Sequence, residues 1–209
     1  MPTKAIAKEI SNHLKVDDGR VMRTKDSRQK IVQAFLSLLR QGNITPSAED
    51  IAKEAKVGLR TVFRRFNEME LLYREVAIEV QSSFAPEAAK PWVSQIWQEQ
   101  LLEMLERKAS IYESVLPYIV AAKYLRHHSK HLTEFNRRWL DIEHDIIASI
   151  LPFNEEDEPI LFNAIENLSS NDAWVRYRKN QKLSAKETHK TMKFMMNALI
   201  DAYQVSKCK

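Results

Sequence analysis

Apolar residues recur along this chain at the three- and four-residue steps that gather them on one side of a helix, and no stretch alternates over a strand's length. The first clear helix runs from about Ser27 to Gln41, with Ile31, Ala34, Phe35, Leu38 and Leu39 in period and Gly42 as its stop. A short one follows, opened by Ser47 with Asp50 three residues on, the spacing in which side chain and backbone cap each other. Ile51, Ala52 and Ala55 give it a narrow apolar stripe. A tight turn containing Gly58 leads into another short helix, Leu59 to Phe66. A fourth, from about Met69 to Ser83, carries Leu71, Leu72, Val76 and Val80 before Pro86 and Pro91 mark a boundary.

Beyond the boundary the pattern stays helical. Trp92 to about Lys108 repeats Ile96, Trp97, Leu101, Met104 and Leu105. Ala109 to about His127 carries Ile111, Tyr112, Val115, Leu116, Ile119 and Val120, with Pro117 expected to kink or split it. Leu132 to about Leu151 presents Phe135, Trp139, Ile142, Ile146 and Ile150. One long helix is expected from Pro159 to about Lys179, through Leu161, Ile165, Leu168, Ala173, Trp174 and Tyr177. Ser184 and Glu187 form a capping box for the last helix, whose apolar residues include Met192, Met195, Met196, Leu199 and Ile200.

The predicted fold class is therefore all-α. Residues 1–25 form an N-terminal extension whose first part, with Ala5, Ile6, Ile10 and Leu14, is weakly amphipathic. Residues 26–84 are expected to hold a three-helix helix-turn-helix domain with a linking helix from about 69, since two short helices joined by a Gly-containing turn are that motif's signature. Residues 85–209 form a C-terminal helical bundle.

Charge sharpens the picture. The whole chain carries a net charge of +4. Residues 20–66 hold 11 Lys and Arg against 4 Asp and Glu, whereas residues 67–209 hold 18 against 21. A basic segment on an otherwise slightly acidic chain is the footprint of a part that meets phosphate. Within it, a helical wheel started at Leu59 places Val62, Phe66 and Phe63 at about 300°, 340° and 40°. Arg60, Arg64, Thr61 and Arg65 fall at about 100°, 140°, 200° and 240° on the other side. Such a helix fits the DNA major groove, where Arg reads guanine and Thr touches a phosphate or a thymine methyl. Arg20, Arg23, Lys25 and Arg28 precede it as a basic lead-in, either a solvated linker or an arm along DNA.

These residues resemble a known family. Arg28 to about Val76 is similar to the DNA-binding domain of the TetR/AcrR transcriptional regulators. The resemblance is carried by Arg28–Phe35 and Gly42, then Ile51–Val57, then Thr61-Val62-Phe63-Arg64-Arg65-Phe66. Phe63 stands where that family commonly has Tyr, Met69 where it has Lys, and Lys56 where a turn Gly is common. The stretch from Trp174 through Glu187 is also similar to the family's closing helix pair. The resemblance implies a homodimer through the last two helices, a double-stranded DNA operator and a small-molecule effector. It also implies DNA contacts from Arg28, Ser47, Lys56, Arg60, Thr61, Phe63, Arg64 and Arg65. Candidate pocket residues in the bundle are Trp97, Met104, Tyr112, Tyr118, Trp139 and Trp174, large side chains on helices expected to surround the core.

Other chemistry is set aside. His127, His128 and His131 cluster without a Cys to complete a metal site, so no metal and no cofactor is expected. Glu155, Glu156, Asp157 and Glu158 precede Pro159, where carboxylates stabilise a helix N-terminus. No phosphate-cradling Gly loop, nucleophile elbow or paired carboxylates suggests an enzyme. Cys208 is the single cysteine, which suits a reducing compartment. No apolar run approaches a membrane span and the first residues lack a signal-peptide core, so a cytoplasmic protein away from membranes is expected. The expected function is a repressor released from a palindromic operator by an inducer, with a ligand-independent or partner-regulated architectural DNA-binding protein as the alternative.

Overall fold

The computed structural model describes residues 19–66 and 68–207, and it is all-helical, with no strand among these residues. The expected amphipathic helix around Ala5 to Leu14, and Cys208, lie outside them. The chain divides into two compact units, the first ending at Glu79 and the second beginning at Val80.

The first unit holds α1 (Gly19–Arg40), α2 (Ala48–Glu54), α3 (Leu59–Arg65) and the first part of α4 (Met69–Ala88). Its helix ends follow from local chemistry. The N–H of Gly42 bonds to the carbonyl of Leu39 and that of Asn43 to Leu38, both at 3.0 Å, with Gly42 at φ +94°. This is the Schellman closure, and a left-handed residue makes it. α2 opens on the expected capping box, Ser47 Oγ accepting from Asp50 N–H at 3.1 Å while Asp50 Oδ2 accepts from Ser47 N–H at 3.0 Å. α2 closes as α1 does, with Lys56 N–H on Lys53 and Val57 N–H on Ala52, but the left-handed residue is Lys56 at φ +54°. Gly58, the turn's glycine, sits at an ordinary φ of −70°.

α1 packs on both α2 and α3, and those two pack on each other. Ile31, Phe35, Ile51, Val62, Phe66 and Leu72 are almost fully buried between them and α4. Each such side chain contributes about 1.5–3 kcal/mol by leaving water. Polar contacts pin α1 to α4: Arg28 pairs with Glu75 at 2.7 Å, and Gln29 and Gln33 both donate to Glu79.

The second unit contains α5 (Trp97–Ser114), α6 (Leu116–Leu125), a 3-10 turn (Arg126–His128), α7 (Lys130–Ile150), α8 (Pro159–Leu168), α9 (Asn171–Val175), a π turn (Arg176–Asn180) and α10 (Ala185–Lys207). Three boundaries differ from the sequence reading. The helix expected from Trp92 to about Lys108 starts at Trp97 and runs on through Ala109 to Ser114 as α5. The long helix expected over 159–179 is broken at Ser169–Ser170, because Ser170 caps a new helix by accepting from Ala173 N–H. Pro86 does not end α4; it lies two residues before the last, so the hydrogen bond that its missing N–H forgoes is lost from the final turn alone. Pro117 behaves as expected, sitting in the first turn of α6 where the N–H has no intrahelical partner anyway. α10 packs against α5 and α8, α5 against α7, and α9 against α6. Leu101, Met104, Ile147, Phe162, Trp174 and Met196 form the centre of the core.

Candidate functional site

α3 is the first place where the structure changes the sequence reading. Val62 is 1% exposed and Phe66 is 2% exposed, so the helix buries the side expected. Yet Phe63 is 51% exposed and Leu59 37%, although both were placed on the core side. Arg60 and Arg64 are exposed one turn apart, whereas Thr61 and Arg65 are half-buried, and Arg65 Nε is buried without a hydrogen-bond partner. The outward face is therefore Arg60, Phe63 and Arg64, turned toward Phe63 relative to the wheel. Two causes act. Phe66 lies beyond the helix at φ −132° and leaves the wheel. Leu59 is in the first turn and leans toward the helix start, where no further turn covers it.

Three more of the expected contact residues occupy distinct positions. Lys56 is exposed in the turn that precedes α3. Ser47 spends its hydroxyl proton on Asp50 Oδ2 at 2.8 Å and its N–H on the same oxygen, so both donors belong to the cap. The Ser47 backbone and hydroxyl hold the Asp50 carboxyl below the usual carboxylate range. Arg28 lays its guanidinium 4.7 Å over the Phe66 ring while pairing with Glu75. Its geometry is that of a brace under α3, not of an arm reaching outward.

In the second unit a cavity of about 70 Å³ opens between α6 and α7. Of the six pocket residues expected, Tyr112, Tyr118 and Trp139 line it. The other three do not. Met104 and Trp174 are buried in the core, and Trp97 packs edge-on against Phe153 and Tyr203. Phe84 meets Trp139 edge-to-face at 5.3 Å along the cavity wall. Burial pushes the Tyr118 hydroxyl above the usual tyrosine range, and that hydroxyl has no hydrogen-bond partner.

Next to the cavity lies a buried polar cluster that sequence reasoning missed. Lys108 Nζ sits 3.2 Å from Glu143 Oε1, and the Tyr112 hydroxyl donates to the same carboxylate and lies 3.2 Å from the Ser169 carbonyl oxygen. Burial, then the negative Glu143, drives the Tyr112 hydroxyl well above its ordinary range, so it stays protonated. The signal was present: Lys108 stands four residues from both Met104 and Tyr112, and Glu143 four from both Trp139 and Ile147. Each interrupts an apolar stripe, which marks a charge carried toward a core but does not say which partner it meets.

Among the described residues no group of His, Cys, Asp and Glu is arranged to hold a metal ion, and no helix is long and apolar enough to cross a membrane. Compared with known protein families and with curated proteins, the chain matches no family model and no curated sequence.

Proposed function

We propose that the chain is a DNA-binding transcriptional regulator whose first unit is a helix-turn-helix reader and whose second unit dimerises and takes an effector. The carrying observation is α3: two exposed arginines one turn apart, opposite a buried Val62, on a helix braced by α1 and preceded by a capped α2. Arg60 and Arg64 face the major groove, where bidentate hydrogen bonds read guanine. Phe63 stands between them and meets a thymine methyl, an apolar role in place of a hydroxyl–phosphate contact. Lys56 supplies a phosphate contact, and Arg28 sets the angle of α3 through Phe66. The basic balance of residues 20–66 supports this placement.

A homodimer through α8 and α10 fits the exposed apolar side chains there. Phe194 is 74% exposed, Ile160 88% and Val205 60%, and a two-fold pair reads two half-sites where one reader is too unselective. A small-molecule inducer that favours one spacing of the two readers weakens operator binding by the factor by which operator weakens inducer binding. The small size of the cavity is what favours the rival reading, a ligand-independent or partner-regulated DNA-binding protein of the same fold.

The experiment is selection of duplexes from a random pool, followed by titration of the winner and of a scrambled duplex with full-length protein and its Arg64→Ala variant. The expected result is a loss of about 1–3 kcal/mol on the selected duplex and far less on the scrambled one. Equal losses on both remove the base-reading role of Arg64. A protein that ignores duplexes at low salt overturns the whole proposal.

A further inference from the structure

The cavity between α6 and α7 has a built-in chemistry that narrows its occupant. Its floor is one face of α6, where Tyr118, Ile119 and Ala122 follow each other at helical spacing, continued by Val115 just before the helix. Ala122 is the small residue in that row. Trp139 and Phe135 form the aromatic wall from α7. At about 70 Å³ the space is roughly half of a cavity that accepts benzene, so one ring is the limit, and it enters with the walls yielding.

The mouth is polar. Arg126, Asn136, Asn171 and Asp172 line both the cavity and an adjoining cleft of about 580 Å³. Their charges do not cancel. Asp172 is taken by Lys123 at 2.6 Å, and Glu143, at the edge of the cleft, is taken by Lys108. Arg126 donates to the neutral Asn136 amide oxygen at 3.1 Å, and among the described residues no carboxylate pairs with it. The mouth thus carries one uncompensated guanidinium, a group that binds a carboxylate with two parallel hydrogen bonds. Eight residues before Arg126, about two helical turns back along the backbone, Tyr118 carries a hydroxyl that is nine-tenths buried with no partner. An unmet buried hydroxyl is costly, and a ligand group that meets it recovers that cost.

We propose that this site takes a single-ring aromatic monocarboxylate with a hydrogen-bonding substituent opposite the carboxylate, the anion on Arg126, the ring against Trp139 and the substituent on Tyr118. A dianion is disfavoured because the mouth offers one uncompensated positive group and no second, and a cation is disfavoured by Arg126. The regulatory meaning of this site rests on the proposed function above; the binding chemistry does not.

The test is calorimetric titration of the full chain, free of DNA, with 4-hydroxybenzoate, benzoate and 4-hydroxybenzamide. The expected order is 4-hydroxybenzoate tightest, with the amide weaker by at least about tenfold because it lacks the charge. Arg126→Gln removes the difference between acid and amide, and Tyr118→Phe brings 4-hydroxybenzoate down to the level of benzoate. Ala122→Leu fills the floor and abolishes binding of all three; if that variant loses its helical circular dichroism, Ile119→Phe serves in its place. No heat with 4-hydroxybenzoate at about 10 mM overturns the proposal. So does an amide that binds as well as the acid, or an acid–amide ratio unchanged in Arg126→Gln. DNA binding of the ligand-free protein is measured separately, so its failure removes the regulator reading alone and leaves the ligand class standing.

Discussion

Lys108 Nζ lies 3.2 Å from Glu143 Oε1 with the two side chains only 10% and 5% exposed, so the second unit carries an ion pair inside its core. Removing one partner leaves the other charge buried alone. Lys108→Met and Glu143→Leu are each expected to lower unfolding stability by about 3–5 kcal/mol, while the double variant is expected near wild type or above it. Urea denaturation of the four proteins checks this. Additive losses in the double variant would mean that the two side chains act independently.

Lys56 holds the left-handed position that closes α2, at a cost a glycine does not meet. Lys56→Gly is expected to raise stability by about 0.5–1 kcal/mol. Under the proposed function the same change is expected to weaken binding to selected and scrambled duplexes alike, because it removes charge and not base recognition. Lys182, at φ +57°, is the control: Lys182→Gly raises stability and leaves DNA affinity alone. Calorimetric melting and anisotropy titrations separate the two effects, and a destabilised Lys56→Gly would refute the strain.

Acid should unfold the second unit partly through Glu113. Arg178 bonds that carboxylate at 2.8 and 2.7 Å and Trp174 Nε1 adds a third bond, with the Arg178 hydrogen bond the main reason its pKa lies below the ordinary value. A lowered folded-state pKa means the stabilisation is present above the unfolded carboxylate range and is lost as pH falls through the folded value. Glu113→Gln is therefore expected to be less stable than wild type at pH 7, with the gap closing as the solution is acidified. A gap that stayed constant from pH 7 to about pH 3 would exclude this linkage.

Phe194 projects from α10 with three-quarters of its surface in water, beside Ala198 and Met195 on a cleft shared with α8. In the proposed dimer it is a central contact. Phe194→Lys is expected to convert a dimer to a monomer in sedimentation equilibrium, to lower operator affinity by more than it lowers affinity for a single half-site, and to leave helicity intact. A wild-type protein that sediments as a monomer at the concentrations used for DNA binding would discard the dimer.

Much of the helical framework was legible in the residues because helix formation is local. Ile31 to Leu39, Leu101 to Leu105 and Met192 to Ile200 announce helices by spacing alone, and Ser47 with Asp50 and Ser184 with Glu187 announce two starts. The break at Ser169–Ser170 was not read, because the apolar period runs through it from Leu161 to Tyr177. Only the Ser170 hydroxyl turned onto Ala173 and the tyrosine–carbonyl contact at Ser169 show why the helix stops there.

The sequence by itself determined that this chain is helical, where its basic segment lies, and that Arg60 and Arg64 share a face one turn apart. Those properties depend on neighbours within four residues and on composition. Tertiary structure alone decided that Phe63 joins those arginines while Arg65 turns inward, that Arg28 braces Phe66, that Lys108 meets Glu143, and that three of six large side chains line a cavity. Each of these depends on which helices pack together: Arg28 and Phe66 lie 38 positions apart and Lys108 and Glu143 lie 35 apart, and the spacing within one helix does not say which neighbour its face will meet.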